Sequence, residues 1–161
     1  MKSLAWWCRA VGGVYLVLGT TFIPAINTGR VEQLVPGFDG TLDGPAWQGF
    51  VDYLFMFGLE ELVLGLFLIA VSFVPRWFVP VVLLVCALSV VRGIGHDLYM
   101  ISQGYSVVSN TIFIALHTAI IVSGLLLLRR ARIRIGWAAT PASSSRSRQT
   151  PASTSADRPR A

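Results

Sequence analysis

The chain has 161 residues, 54% of them hydrophobic and 13% charged, with a formal net charge of +5 and a mean hydropathy of +0.66. A soluble domain carries about twice that charged fraction, so the composition argues against a soluble chain. The positive charge does not point to nucleic acid either: five of the thirteen Lys and Arg residues precede Arg129, and the other eight crowd into 129–161, beside an apolar run.

A bilayer core of about 30 Å needs about 20 apolar residues in a helix, and four stretches supply them. The first predicted span covers about 5–26, AWWCRAVGGVYLVLGTTFIPAI. Lys2 and Arg9 ahead of an apolar run resemble a secretory signal, but three more spans follow and no small-x-small cleavage site ends it, so it reads as a retained helix. A loop over about 27–49 carries turn formers at Pro36-Gly37, Asp39-Gly40 and Asp43-Gly44-Pro45. The second span, about 50–74, ends at Pro75. After a tight turn the third runs over 77–95, extending toward 101, with Pro80 in its first turn. The fourth covers 107–128. Residues 1–136 therefore form one transmembrane domain. Residues 137–161, rich in Ser, Pro, Ala and Arg without apolar periodicity, read as a disordered basic tail.

The fold class is thus all-α: a polytopic four-transmembrane-helix bundle. Lys2, Arg9, Arg76 and the run RRARIR (129–134) lie toward one side, whereas Arg30 and Arg92 lie toward the other. The positive-inside rule then places both termini in the cytoplasm. Trp6, Trp7, Trp47, Trp77 and Trp137 all fall at predicted interfaces, where amphipathic rings settle. Cys8 and Cys86 fall in different spans at different depths and read as two small apolar side chains.

Against this apolar background the ionisable residues stand out, because charge inside hydrocarbon is costly and marks bundle interiors or functional paths. Glu60 and Glu61 lie near the middle of span two, and His117 reaches almost the same depth in span four. Arg92 lies in the outer half of span three, with His96 and Asp97 beyond it, and Tyr15 is at mid-depth in span one. At about 100° per residue, Tyr53 shares a face with Glu60, Arg92 with His96, and Asn110 with His117. The expected cluster is therefore Glu60 or Glu61 with Arg92 and His117, and Tyr15, Tyr53, His96 and Asp97 around its outer mouth. Glu60 is the expected interior carboxylate. Glu61 points about 100° away, and either meets span one near Tyr15 or stays protonated. Gly12, Gly19, Gly58 and Gly65 recur every seven residues on spans one and two and permit close helix approach.

Two readings of the cluster stay open. It is a binding or proton-handling site, or an ion pair that holds the helices in register. Metal and cofactor chemistry find no support: there is no Glu-x-x-His, no nucleotide-binding glycine loop and no haem-attachment motif. No cofactor is expected.

The fragments YLVLG (15–19), FVDYLFMFGLEELVLG (50–65), RGIGHDLYMISQGY (92–105) and HTAIIVSG (117–124) together resemble the BphX-like family of small bacterial integral membrane proteins. The resemblance covers about residues 5–130. It implies a multi-pass protein of the bacterial cytoplasmic (inner) membrane and brings no catalytic or binding residues with it. The four-span layout is also similar to the DoxX-like group, some members of which are linked to quinone-dependent oxidation.

Three functions follow as expectations. The first is a non-enzymatic accessory or small-molecule/proton-handling component. The second is a membrane subunit of a quinone-linked oxidoreductase, and the third a structural assembly factor for a larger complex. The expected partners are the lipid bilayer and either a second copy or a larger membrane complex.

Overall fold

The computed structural model describes residues 1–138, and among them there is no strand. Helix α1 spans Lys2–Thr20, followed by two short helices, α2 (Pro24–Thr28) and α3 (Val31–Leu34). Helix α4 spans Pro45–Val71, and a 3₁₀ turn over Pro75–Trp77 leads into α5 (Phe78–Leu88). A π-helical turn, Ser89–Gly95, continues without a break into α6 (His96–Ser102), and α7 runs over Val107–Ala138.

Three of these helical stretches are long and apolar enough to cross a membrane: Pro45–Val71, Pro75–Ser102 and Val107–Ala131. Their outward faces carry Val63, Leu66, Val91 and Ile112, each at least 60% exposed. Apolar exposure on that scale fits lipid rather than water. This is a helical membrane protein.

Helix α1 is shorter than the sequence predicts. The expected span ran to residue 26, but α1 stops at Thr20. Thr20 Oγ1 and Thr21 Oγ1 donate to the carbonyls of Val17 and Leu18, each at 2.7 Å, which competes with the helical ladder. Pro24 has no N–H to give and forces Ile23 into an extended conformation (ψ 134°), so the chain restarts as α2 with Pro24 in its first turn. At the other end of the loop, α4 begins at Pro45, earlier than the apolar run suggests, because extended Gly44 and a proline at the first helical position make a good start. Gly104, at φ +85°, makes the turn from α6 to α7. The tail expected from residue 137 onward continues α7 for its first two residues, and the rest lies outside the described residues.

The packing of α1 on α4 is set by glycine. A Cβ on Gly12 would lie 2.8 Å from the Gly65 carbonyl oxygen, and one on Gly19 would lie 2.8 Å from that of Gly58. As one partner advances by seven residues the other retreats by seven, so the two helices run antiparallel with their backbones in near contact. Helix α7 packs antiparallel against α5 and the π turn, where Cys86 Sγ approaches the Ile121 carbonyl oxygen at 3.9 Å.

The end of the molecule that holds the N-terminus is closed by apolar packing. Cys8, Leu68, Val82 and Val85 are wholly buried there, with Phe78 beside them. Trp7 Nε1 donates to Ser123 Oγ at 2.9 Å, and Gly124 leaves room for its ring. Arg9 Nε donates to Ser72 Oγ at 3.0 Å while its guanidinium sits over Phe73 and Trp6. Two of the tryptophans are buried. Trp7 is buried by its bond to α7, and Trp47 is buried in contact with Phe38 and Phe50. Trp6 and Trp77 are exposed, and the Trp137 side chain lies outside the described ones. Both cysteines are buried and free.

The glycine seam makes a differential prediction. Gly65→Ala, whose new methyl would meet the Gly12 carbonyl oxygen at 2.8 Å and Leu16 at 2.9 Å, should lower stability by about 1–3 kcal/mol. Gly13→Ala, with nothing within 4 Å, should be neutral or better. Denaturant titration in detergent, followed by circular dichroism, measures both; equal effects would mean that the seam does not hold α1 on α4.

Candidate functional site

Toward the opposite end the helices part around a cavity of about 260 Å³. Helix α1 lends Tyr15 to its wall, and α4 lends Phe57 and Glu61. The π turn and α6 contribute Arg92, His96 and Asp97, and α7 contributes Asn110 and His117. Arg30, from the loop, also lines the cavity.

Glu61 is placed here by the glycine seam. It follows Gly58 by three residues and precedes Gly65 by four, so it shares their inward face, and it is 6% exposed. The expectation that Glu60 is the interior carboxylate is overturned. Glu60 does share a face with Tyr53, but that face looks outward: the Glu60 side chain is 63% exposed and Tyr53 68%. Tyr53 is not part of the cavity wall. The sequence does hold the correct signal, since Gly58 and Gly65 mark the buried stripe of α4 on which only Glu61 lies.

Arg92 ties the two carboxylates together. Its Nη2 donates to Glu60 Oε2 at 2.9 Å and lies 3.6 Å from Glu61 Oε1, while the guanidinium sits 4.2 Å over the Phe57 ring. This bridge matters because α4 packs on α1 and α2, and its tie to the π turn is made by these side chains. The π turn itself is wider than an α-helix and is a frequent feature of functional sites. Here it offers Arg92 to α4 and, one residue on, Gly93 to α7. A Cβ on Gly93 would collide with the His117 ring, so glycine is what admits the imidazole.

His117 and Asp97 are electrostatic neighbours, and His96 Nδ1 lies 3.8 Å from Asp97 Oδ1. Asp97 is 7% exposed. Ser89, fully buried, lies beside Tyr15, which in turn feels both Glu61 and Arg92. Four polar atoms on the cavity wall are buried without a hydrogen-bond partner in the protein: Glu61 Oε2, Asp97 Oδ2, His117 Nδ1 and Arg30 Nε. Most buried polar groups in folded proteins are paired, so four such atoms around one cavity suit a polar guest.

Of the residues singled out from sequence, Tyr15, Glu61, Arg92, His96, Asp97 and His117 share this wall. Glu60 reaches it only through Arg92. Arg30 was missed as a site residue. Its Nη2 donates to the Thr21 carbonyl at 2.9 Å and Asn27 Oδ1 at 3.1 Å, tying the loop to the end of α1. Its only mark in the sequence is that it is the one cation between spans one and two. Phe57 was also missed, since an aromatic residue in an apolar helix carries no signal of its own. Among the described residues, no group of three or more His, Cys, Asp or Glu side chains could hold a metal ion.

The fold and this wall define a small helical membrane protein with a polar cavity between its helices. The chain belongs to the BphX-like family, whose model matches residues 1–133. No curated protein and no solved structure matches it.

The bridge gives an order of sensitivity. Removing the cation leaves Glu61 buried and unpaired, so Arg92→Met should cost on the order of 3 kcal/mol. Glu60→Gln leaves Arg92 its contact with Glu61 and should cost the least, with Glu61→Gln between them. Thermal unfolding of the three variants in one detergent tests the order. A Glu60 variant as damaging as the Arg92 variant would place the structural weight on the wrong carboxylate.

Proposed function

We propose that this chain is a four-span protein of the bacterial inner membrane that binds a small molecule in the cavity between its helices, as a non-enzymatic accessory component. The observation that carries this reading is the pair of buried carboxylates, Glu61 and Asp97, each with an oxygen left unpartnered on one cavity wall. Held against hydrocarbon alone, such groups cost about 2.5–3.5 kcal/mol for a charge at the centre of a span. A structural ion pair needs one carboxylate for Arg92, and this site carries more. The closed apolar packing around Cys8, Val82 and Leu68 at the far end favours a blind pocket over a through-channel.

In this reading α1 is the fourth span. Lys2, Arg9, Arg76, Arg129 and Arg130 lie toward the closed end, which supports a cytoplasmic location for both termini. Residues 137–161 then form a cytoplasmic tail, the bilayer is the first partner, and the cavity mouth near Arg30 and Ser106 faces the outer side.

Two experiments test these points. Native mass spectrometry of the full chain, extracted from its own membrane, should reveal a bound small molecule that is absent from Glu61→Gln and His117→Ala proteins of unchanged helicity. A molecule retained by both variants, or variants that no longer insert, would make the cluster structural and end the binding reading. For topology, Ser109→Cys on the cavity wall should react with a membrane-impermeant maleimide in intact spheroplasts, while the parent chain, with Cys8 and Cys86 buried, stays unlabelled. Labelling only after lysis would invert the orientation.

A further inference from the structure

The cavity wall carries unpartnered polar atoms at two depths, and the glycine seam measures the distance between them. Gly19 meets Gly58 and Gly12 meets Gly65, so Thr21, two residues beyond Gly19, is level with Met56, two before Gly58. The Arg30 guanidinium bonds to the Thr21 carbonyl and therefore lies near that level. Glu61 lies five residues deeper along α4, about 7.5 Å at the helical rise of about 1.5 Å per residue. Between the two levels the wall is apolar. Leu18 of α1 and Phe57 of α4 both line it, and Phe22 packs edge-to-face on Phe57 with ring centroids 5.0 Å apart.

The two ends ask for different atoms. Arg30 Nη2 is committed to Thr21 and Asn27, which fixes the guanidinium and leaves its Nε–H buried without an acceptor. That N–H is a donor at every physiological pH, so the outer end needs an acceptor. At the inner end Glu61 Oε1 faces Arg92 at 3.6 Å, while Oε2 has no partner. Asp97 Oδ2 and His117 Nδ1, also unpartnered, belong to the same wall. A carboxyl oxygen or an imidazole nitrogen accepts a hydrogen bond or donates one according to its proton, and a hydroxyl answers both. Full charge suits this wall poorly. An ammonium would share it with Arg30 and Arg92, and a carboxylate with Glu61 and Asp97.

We infer that the cavity takes an uncharged molecule with an oxygen function at each end of a compact apolar body: a hydroxyl toward Glu61, and a hydroxyl or carbonyl oxygen toward Arg30. This rests on the small-molecule reading proposed above and names its ligand class. A cavity of about 260 Å³ is just under the usual range for small-molecule sites, which limits the body to about one six-membered ring. Arg30 is then the residue that selects for the second oxygen, and Leu18 and Phe57 pack against the body between the two ends.

The probe is 1,4-cyclohexanedimethanol, measured by equilibrium dialysis against the full chain in phosphatidylcholine nanodiscs, with empty discs as the blank. It should bind saturably, about one per chain, and about tenfold more tightly than cyclohexylmethanol, which lacks the second hydroxyl and with it the bond to a charged donor. The same ring with charged ends, as 1,4-bis(aminomethyl)cyclohexane or 1,4-cyclohexanedicarboxylate, should bind about tenfold more weakly than the diol or worse. Arg30→Met should abolish the diol's advantage and leave cyclohexylmethanol unchanged, and the series of compounds on the parent chain decides the question even where that variant does not fold. Equal binding of the two alcohols to the parent chain would overturn the two-ended site. A charged ring bound as tightly as the diol would overturn the uncharged class. A folded Arg30→Met protein that keeps the diol's advantage would overturn the assignment of the acceptor end. No saturable binding of any of these compounds would overturn the inference outright, while the native mass measurement would still decide the cavity reading on its own.

Discussion

The near contact of the α1 and α4 backbones governs the rest of the structure. Without side chains at Gly12, Gly19, Gly58 and Gly65 the two helices approach until a carbonyl oxygen of each occupies the space that a Cβ on the other would fill. In a membrane, where lipid tails are as apolar as leucine, close packing and polar contacts are what hold helices together. That contact sets the rotation of α4, and the rotation decides which of two adjacent glutamates is buried. Glu61 lies on the glycine face and turns inward; Glu60, one residue earlier, turns out.

Everything polar follows from that choice. Arg92 has to serve an inner and an outer carboxylate at once, so it reaches from the cavity wall into the seam between α4 and the π turn. The π turn makes this possible by presenting Arg92 to α4 and Gly93 to His117 within a single widened stretch. The cavity is thus the outcome of two departures from regular packing: one pair of helices pressed unusually close, and one helix locally overwide.

The two ends of the molecule divide the work. The end near the termini is filled by Cys8, Leu68, Phe78, Val82 and Val85 and locked by the Trp7–Ser123 and Arg9–Ser72 bonds. The other end spends its residues on polar groups and a loop held down by Arg30. Rigid packing at one end lets the other tolerate buried groups with incomplete hydrogen bonding, because the helices cannot shift to relieve them.

From the sequence by itself came the class of protein, the long apolar helices at nearly their observed places, and most of the ionisable residues on the cavity wall. Each of these depends on local quantities: hydropathy over about 20 residues, the helical repeat, and the rarity of charge in an apolar run. The sequence also carried the family resemblance that the match over residues 1–133 established. It turned Glu60 inward because phase within a helix tells which residues share a face and says nothing of which face turns inward, although it did set Glu61 toward Tyr15, with which it lines the cavity. It ran α1 on to residue 26 because apolar character outlasts helicity at Thr20, Thr21 and Pro24. It missed Arg30, whose contacts come from a loop folding back over the helix ends. Only the tertiary structure decided these points, since each depends on a neighbour far away in the chain: Gly12 against Gly65, Arg92 against two glutamates of α4, and His117 in the space left by Gly93.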